Sequence, residues 1–154
     1  MIKYGTNSPQ ATLRLVIMAC FVERKLSAAR LSYLHELATK LDLTPAHVSR
    51  IVEEHEREVL AEQDKNDGFF FGNGALPKVV VHAALDEVGH LDLQLHVAMQ
   101  MMQVIMQEPK HTAREVAFVE SVIGYWRIKP AWREVLKAIE HPAPRRRRPR
   151  GTVR

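Results

Sequence analysis

Apolar residues recur three and four positions apart along most of this chain, and no run alternates with period two. The pattern therefore predicts helices rather than strands. Leu13, Val16, Ile17 and Cys20 share one face of a first helix over residues 10–24. Ser27 is placed to cap a second helix running to Leu41. Thr44-Pro45, a capping residue followed by proline at the first helical position, opens a third. Its apolar positions are Val48, Ile51, Val52 and Val59. Residues 64–74 hold three glycines and two asparagines and read as a loop, with Phe69, Phe70 and Phe71 expected to pin it to the core. A small hairpin around Phe69–Phe71 is the one strand pairing entertained. A fourth helix is predicted over 77–88 and a fifth from Asp92 to Gln107. A sixth opens at Thr112, where Glu115 stands at capping-box spacing, and a seventh runs from Pro130 to Glu140.

Half of these elements repeat the other half. At an offset of 85 positions, Glu23, Lys25, Ala28, Pro45 and Ala46 meet Glu108, Lys110, Ala113, Pro130 and Ala131. Conservative matches surround them: Ser27 with Thr112, Leu31 with Val116, Leu43 with Ile128. An internal repeat constrains the fold more than any single element does. It predicts an all-α domain over residues 1–141, with about seven helices in two similar three-helix halves. The copies span about 12–50 and 97–135, and a loop and a connecting helix join them.

Within each copy the order is apolar helix, charged turn, Ser/Thr cap, helix, then Pro-Ala and another helix. That order resembles the tellurite-resistance TerB-like family over roughly residues 10–140. The turns read Val22-Glu-Arg-Lys-Leu-Ser27 and Gln107-Glu-Pro-Lys-His-Thr112. They carry glutamate where the family has aspartate, lysine where it has an acid, and no glycine. The resemblance implies an all-helical fold, a role in stress or tellurite resistance, and a divalent-metal site at the acidic turns. By position, Glu23, Glu108 and Glu115 would supply that site. Hard cations such as calcium take six or more oxygen ligands, so three acids beside Lys25 and Lys110 make a degenerate site at most.

Composition adds a boundary. The 154 residues carry a net charge of +4, but the six arginines of residues 145–154 account for it, and without them the chain stands at −2. Residues 142–154 are therefore expected to be a disordered basic tail on a mildly acidic domain. Arg145, Arg146, Arg147, Arg148 and Arg150 suit a weak polyanion contact, with nucleic acid or an anionic membrane surface, or an acidic partner. A single cysteine, Cys20, sits among apolar residues and reads as core, which fits a reducing compartment. No signal peptide or membrane span is evident, so the expected location is the cytoplasm.

Three groups of residues invite chemistry. His82, Asp86 and His90 fall at i, i+4 and i+8 on the fourth helix, with Glu87 and His96 near enough to join an alternative metal site. Residues 34–53 approach a helix-turn-helix in which Thr44 caps a recognition helix bearing Ser49 and Arg50. Glu53, Glu54, Glu56 and Glu58 on the same helix would repel phosphates. Met99, Met101, Met102 and Met106 crowd the fifth helix, and Trp126 and Trp132 are expected to brace the last helix on the sixth. No nucleophile–base arrangement or phosphate loop is present. The reading is a non-enzymatic cytosolic interaction module with a protein partner, or with another copy of itself as a homo-oligomer. A DNA-binding regulator using residues 34–53 is the alternative. No cofactor is implied beyond a divalent cation.

Overall fold

The computed structural model describes residues 3–65 and 76–140. Among them are seven α-helices and no strand. The helices are α1 (Pro9–Phe21), α2 (Ala28–Lys40), α3 (Pro45–Lys65), α4 (Lys78–Asp86), α5 (Leu91–Ile105), α6 (Ala113–Trp126) and α7 (Lys129–Glu140). The hairpin considered at Phe69–Phe71, the pinning of that loop and the basic tail all lie outside the described residues. Asp64 and Lys65, read from sequence as loop, belong to α3.

Local chemistry sets most helix starts. Ser27 Oγ accepts from the Arg30 amide at 3.2 Å. Thr112 and Glu115 form a complete capping box, each side chain accepting the other's backbone N–H. α1 begins one residue earlier than expected because Ser8 caps it, with Pro9 as its first residue.

Three helix ends close without glycine. After α1, α2 and α6 the chain turns through Arg24, Asp42 and Arg127, each left-handed with φ between 52° and 58°. The bonds Lys25 N–H to Cys20 O, Leu43 N–H to Ala38 O and Ile128 N–H to Ile123 O make each a Schellman closure.

The core is organised around α1. Every residue from Ala11 to Cys20 is buried, so this helix is enclosed on all sides. It packs on α2, α3, α4, α5 and α6. α2 lies against α5 as α6 lies against α1, and α7 packs on α6.

The 85-residue spacing holds unevenly. Ala28 and Ala113 begin α2 and α6, and Asp42 and Arg127 close them, each pair 85 apart. The third helix of each set fits 84 instead. Buried Val48 then matches buried Trp132, and half-buried Val52 matches half-buried Leu136. The unbroken 85-residue offset expected across 12–50 and 97–135 is thus not kept at the starts of α3 and α7, which lie 84 apart.

Candidate functional site

Arg30 and Glu115, 85 positions apart, meet in the interior. Arg30 is fully buried and Glu115 is 1% exposed. Arg30 Nη1 lies 2.6 Å from Glu115 Oε2, an ion pair without hydrogen-bond alignment. The guanidinium also donates to the Lys25 carbonyl (3.0 Å) and the Ile105 carbonyl (3.1 Å), at the end of α5. Glu115 Oε1 accepts from the Thr112 amide at 3.0 Å. One pair therefore ties α2, the turn before it, the end of α5 and the start of α6. A buried pair like this is weak evidence of net stabilisation, but losing either partner strands a charge.

The two charged turns face each other beside this pair. Glu23 accepts from Thr112 Oγ1 at 3.3 Å and lies 3.6 Å from Arg114 Nε. Lys25 Nζ lies 3.9 Å from Glu108. The acids that the resemblance assigns to a metal are thus brought into one neighbourhood, each beside a basic group. Among the described residues, no three His, Cys, Asp or Glu side chains group as metal ligands.

The histidine face read from sequence does not form. α4 ends at Asp86, Glu87 is its C-cap, and His90 stands at the N-cap of α5. The helix stops one turn short of carrying His90 on the same face. His82 stacks on Tyr125 with centroids 4.5 Å apart, and Asp86 accepts from the Tyr125 hydroxyl at 2.5 Å. That hydrogen bond is the main cause that pushes the Tyr125 phenol up to about 12. Glu87 turns to Arg14 and to the Tyr4 amide. His96 lies 3.5 Å from Gln100. The Trp126 indole donates to the Leu85 carbonyl at 3.1 Å, which ties the end of α6 to α4.

Cys20 is core, as its surroundings suggested, and burial pushes its thiol up to about 12. Met101 is fully buried, while Met106 is 56% exposed past the end of α5. Among the described residues, no helix is long and apolar enough to cross a membrane.

A second buried arginine anchors α3. Arg14 lies within α1 at 2% exposure, 2.7 Å from Glu58 and 3.3 Å from Glu87. Its guanidinium carbon sits 5.6 Å from the centre of the Tyr4 ring. The Tyr4 hydroxyl donates to Glu54 at 2.6 Å. Two of the four glutamates counted against DNA reading, Glu54 and Glu58, therefore turn inward. Ser49, Arg50, Glu53, Glu56 and Arg57 remain exposed on α3.

α7 has no such anchor. Trp132 is buried, Val135 and Leu136 are half-buried, and Ile139 is 53% exposed. These four follow helical spacing and make one apolar stripe. On α3 the corresponding stripe is Val48, Ile51, Val52 and His55, and His55 is 2% exposed. α3 packs on α1, α2 and α4, whereas α7 packs on α6. Lys129, Arg133 and Lys137 flank the α7 stripe, with Glu134 paired to Lys137 at 3.3 Å. The arginines of the expected polyanion site, Arg145 to Arg150, follow in sequence and lie outside the described residues.

No family model matches the chain, no characterised protein matches it, and no solved structure matches it.

Neither buried arginine was visible as such in the sequence. Arg14 interrupts an apolar run, which is a usable signal. Arg30 looks like any polar helical residue. Its sign of importance is the 85-residue offset, which sets it opposite an acid rather than its own kind.

Proposed function

We propose that this chain is a non-enzymatic interaction module. Its docking surface is the α7 stripe of Trp132, Val135, Leu136 and Ile139. The carrying observation is Ile139, a large apolar side chain more than half exposed at the end of a stripe otherwise directed into the domain. An amphipathic helix face with an open end is a form of surface on which a partner helix can lay its own apolar face. The rim of Lys129, Arg133 and Lys137, followed by the arginine run, selects an acidic amphipathic segment of another protein. A second copy of the chain would set basic rim against basic rim. The two-halves origin of the fold and the TerB-like kinship belong to the same proposal. They rest on the shared order of turn, cap and Pro-Ala helix.

The test uses two synthetic helical peptides, one with leucines flanked by glutamates and one with lysines in their place. The glutamate peptide binds, and Ile139→Glu weakens it by roughly tenfold or more. The lysine peptide does not bind. A glutamate peptide indifferent to Ile139→Glu contradicts the docking surface. Light scattering that reports a dimer lost in Ile139→Glu would make the occupant a second copy.

The inward turn of Glu54 and Glu58 favours a second reading, duplex contact by the exposed part of α3. Tail-driven binding would be salt-sensitive, indifferent to sequence and abolished by deleting residues 143–154. A helix-turn-helix would keep a sequence preference without the tail and lose it on Arg50→Ala.

A further inference from the structure

A cleft of about 330 Å³ opens between the segment ahead of α1 and the N-terminal half of α3. Lys3 and Tyr4 line it from one side, His47, Arg50 and Glu54 from the other, and Gln10 of α1 lies between. The two sides are tied together. The Tyr4 hydroxyl donates to Glu54 at 2.6 Å, and the Tyr4 amide donates to Glu87. The charge of the lining is unbalanced. Lys3 and Arg50 are exposed, and neither has an ion pair or hydrogen bond among the described residues. Glu54 is the one acid on the lining, and Tyr4 already engages it. His47 adds a donor. The Thr44 amide donates to its Nδ1 at 3.0 Å, so the proton of the neutral ring sits on Nε2. That Nε2–H has no partner among the described residues.

We infer that this cleft binds a small phosphate monoester, such as a sugar phosphate. Such a phosphate carries about two negative charges at pH 7 and three strong acceptor oxygens. Lys3, Arg50 and the His47 N–H supply donors of matching number and sign, and a guanidinium can hold two phosphate oxygens at once. A carboxylate brings half the charge and one oxygen fewer. The volume lies at the small end of the range for ligand pockets, which suits a body of sugar size beside the phosphate. The site is separate from the α7 stripe and does not depend on it.

The probes are ribose 5-phosphate, ribose, gluconate and dimethyl phosphate, the last standing for a nucleic-acid backbone. Each is titrated into the isotope-labelled full chain, followed by amide shifts and calorimetry. Ribose 5-phosphate should move the amides of Gly5, His47 and Arg50 to saturation. Gluconate and dimethyl phosphate should bind at least about tenfold more weakly, and ribose should not bind. Arg50→Gln and Lys3→Gln should each weaken ribose 5-phosphate by roughly tenfold. Glu54→Gln removes the opposing charge and should tighten it by roughly threefold. The proposal is overturned if the shifts fall elsewhere, or if Arg50→Gln and Lys3→Gln have no effect, as binding to the arginines of residues 145–154 would give. It is also overturned if Glu54→Gln binds no more tightly than wild type, or if ribose, gluconate or dimethyl phosphate binds as well as ribose 5-phosphate.

Discussion

α3 and α7 begin alike and end differently. α3 starts at Pro45-Ala46 and α7 one residue before Pro130-Ala131; each carries an apolar stripe, and the stripes correspond at a spacing of 84. On α3 the stripe ends in a sealed histidine, and the helix is bolted down by Glu58 on Arg14 and Glu54 on Tyr4. On α7 the stripe ends in Ile139, half in solvent, with Trp132 as its one buried residue. The position 85 residues beyond Arg14 is Met99, which offers no charge for an anchor. Similar start signals thus fix where a helix begins, but partners distant in sequence decide how far its inner face is closed.

The buried Arg30–Glu115 pair gives the largest expected effect. Arg30→Met leaves Glu115 buried without its partner and costs about 3–5 kcal/mol in urea unfolding. The double variant Arg30→Met, Glu115→Gln should recover much of that loss. If the single variant costs under 1 kcal/mol, Arg30 is not a keystone and α2, α5 and α6 are held by apolar contact alone.

The contrast within α7 comes next. Trp132→Ala should cost about 3 kcal/mol, while Ile139→Ala should stay within about 0.5 kcal/mol. Equal costs at the two positions would mean that Ile139 is covered in solution.

Acid separates α3 from α7 through His55. Its folded pKa lies below its unfolded value of 6.5, so the unfolded chain takes up the proton first. The stability it contributes is present above pH 6.5 and is lost as pH falls toward 4. About 2 kcal/mol should disappear between pH 7 and pH 5. Glu87 acts in the opposite sense, since burial raises its pKa and the folded state holds its proton more readily. The wild-type slope is therefore a partial sum. Denaturant titrations at both pH values should show a flatter dependence in His55→Leu, and an unchanged slope would contradict the sealed, neutral ring.

The smallest effect concerns the closures. Arg127 holds a left-handed conformation that glycine adopts freely, so Arg127→Gly should raise stability by about 0.5–1 kcal/mol. A loss would mean that its side chain contributes more than the strain costs.

These contrasts also mark what the sequence could reveal. Seven helices were legible because their signals are local: Ser27, Thr44 and Thr112 each cap the helix that immediately follows. Ser8-Pro9 carries the same signal as Thr44-Pro45 and was equally readable. The ends were harder, because Arg24, Asp42 and Arg127 turn the chain where glycine is the usual marker. The histidine face failed because α4 ends at Asp86, with Gly89 standing before His90, and spacing on a helix means nothing past its last turn. The α7 stripe was present in the sequence, but its incomplete cover was not, because cover depends on which helices arrive from elsewhere. Arg14 and Arg30 gain their roles from partners 44 to 85 residues away, beyond the reach of any local pattern.

The most direct measurement is amide shift mapping of the isotope-labelled chain with the glutamate amphipathic peptide. The account predicts shifts concentrated on Val135, Leu136 and Ile139 and the basic residues beside them, saturating with added peptide and absent in Ile139→Glu. Shifts centred on Ser49 and Arg50 instead, or none at α7 while the peptide binds, would contradict it.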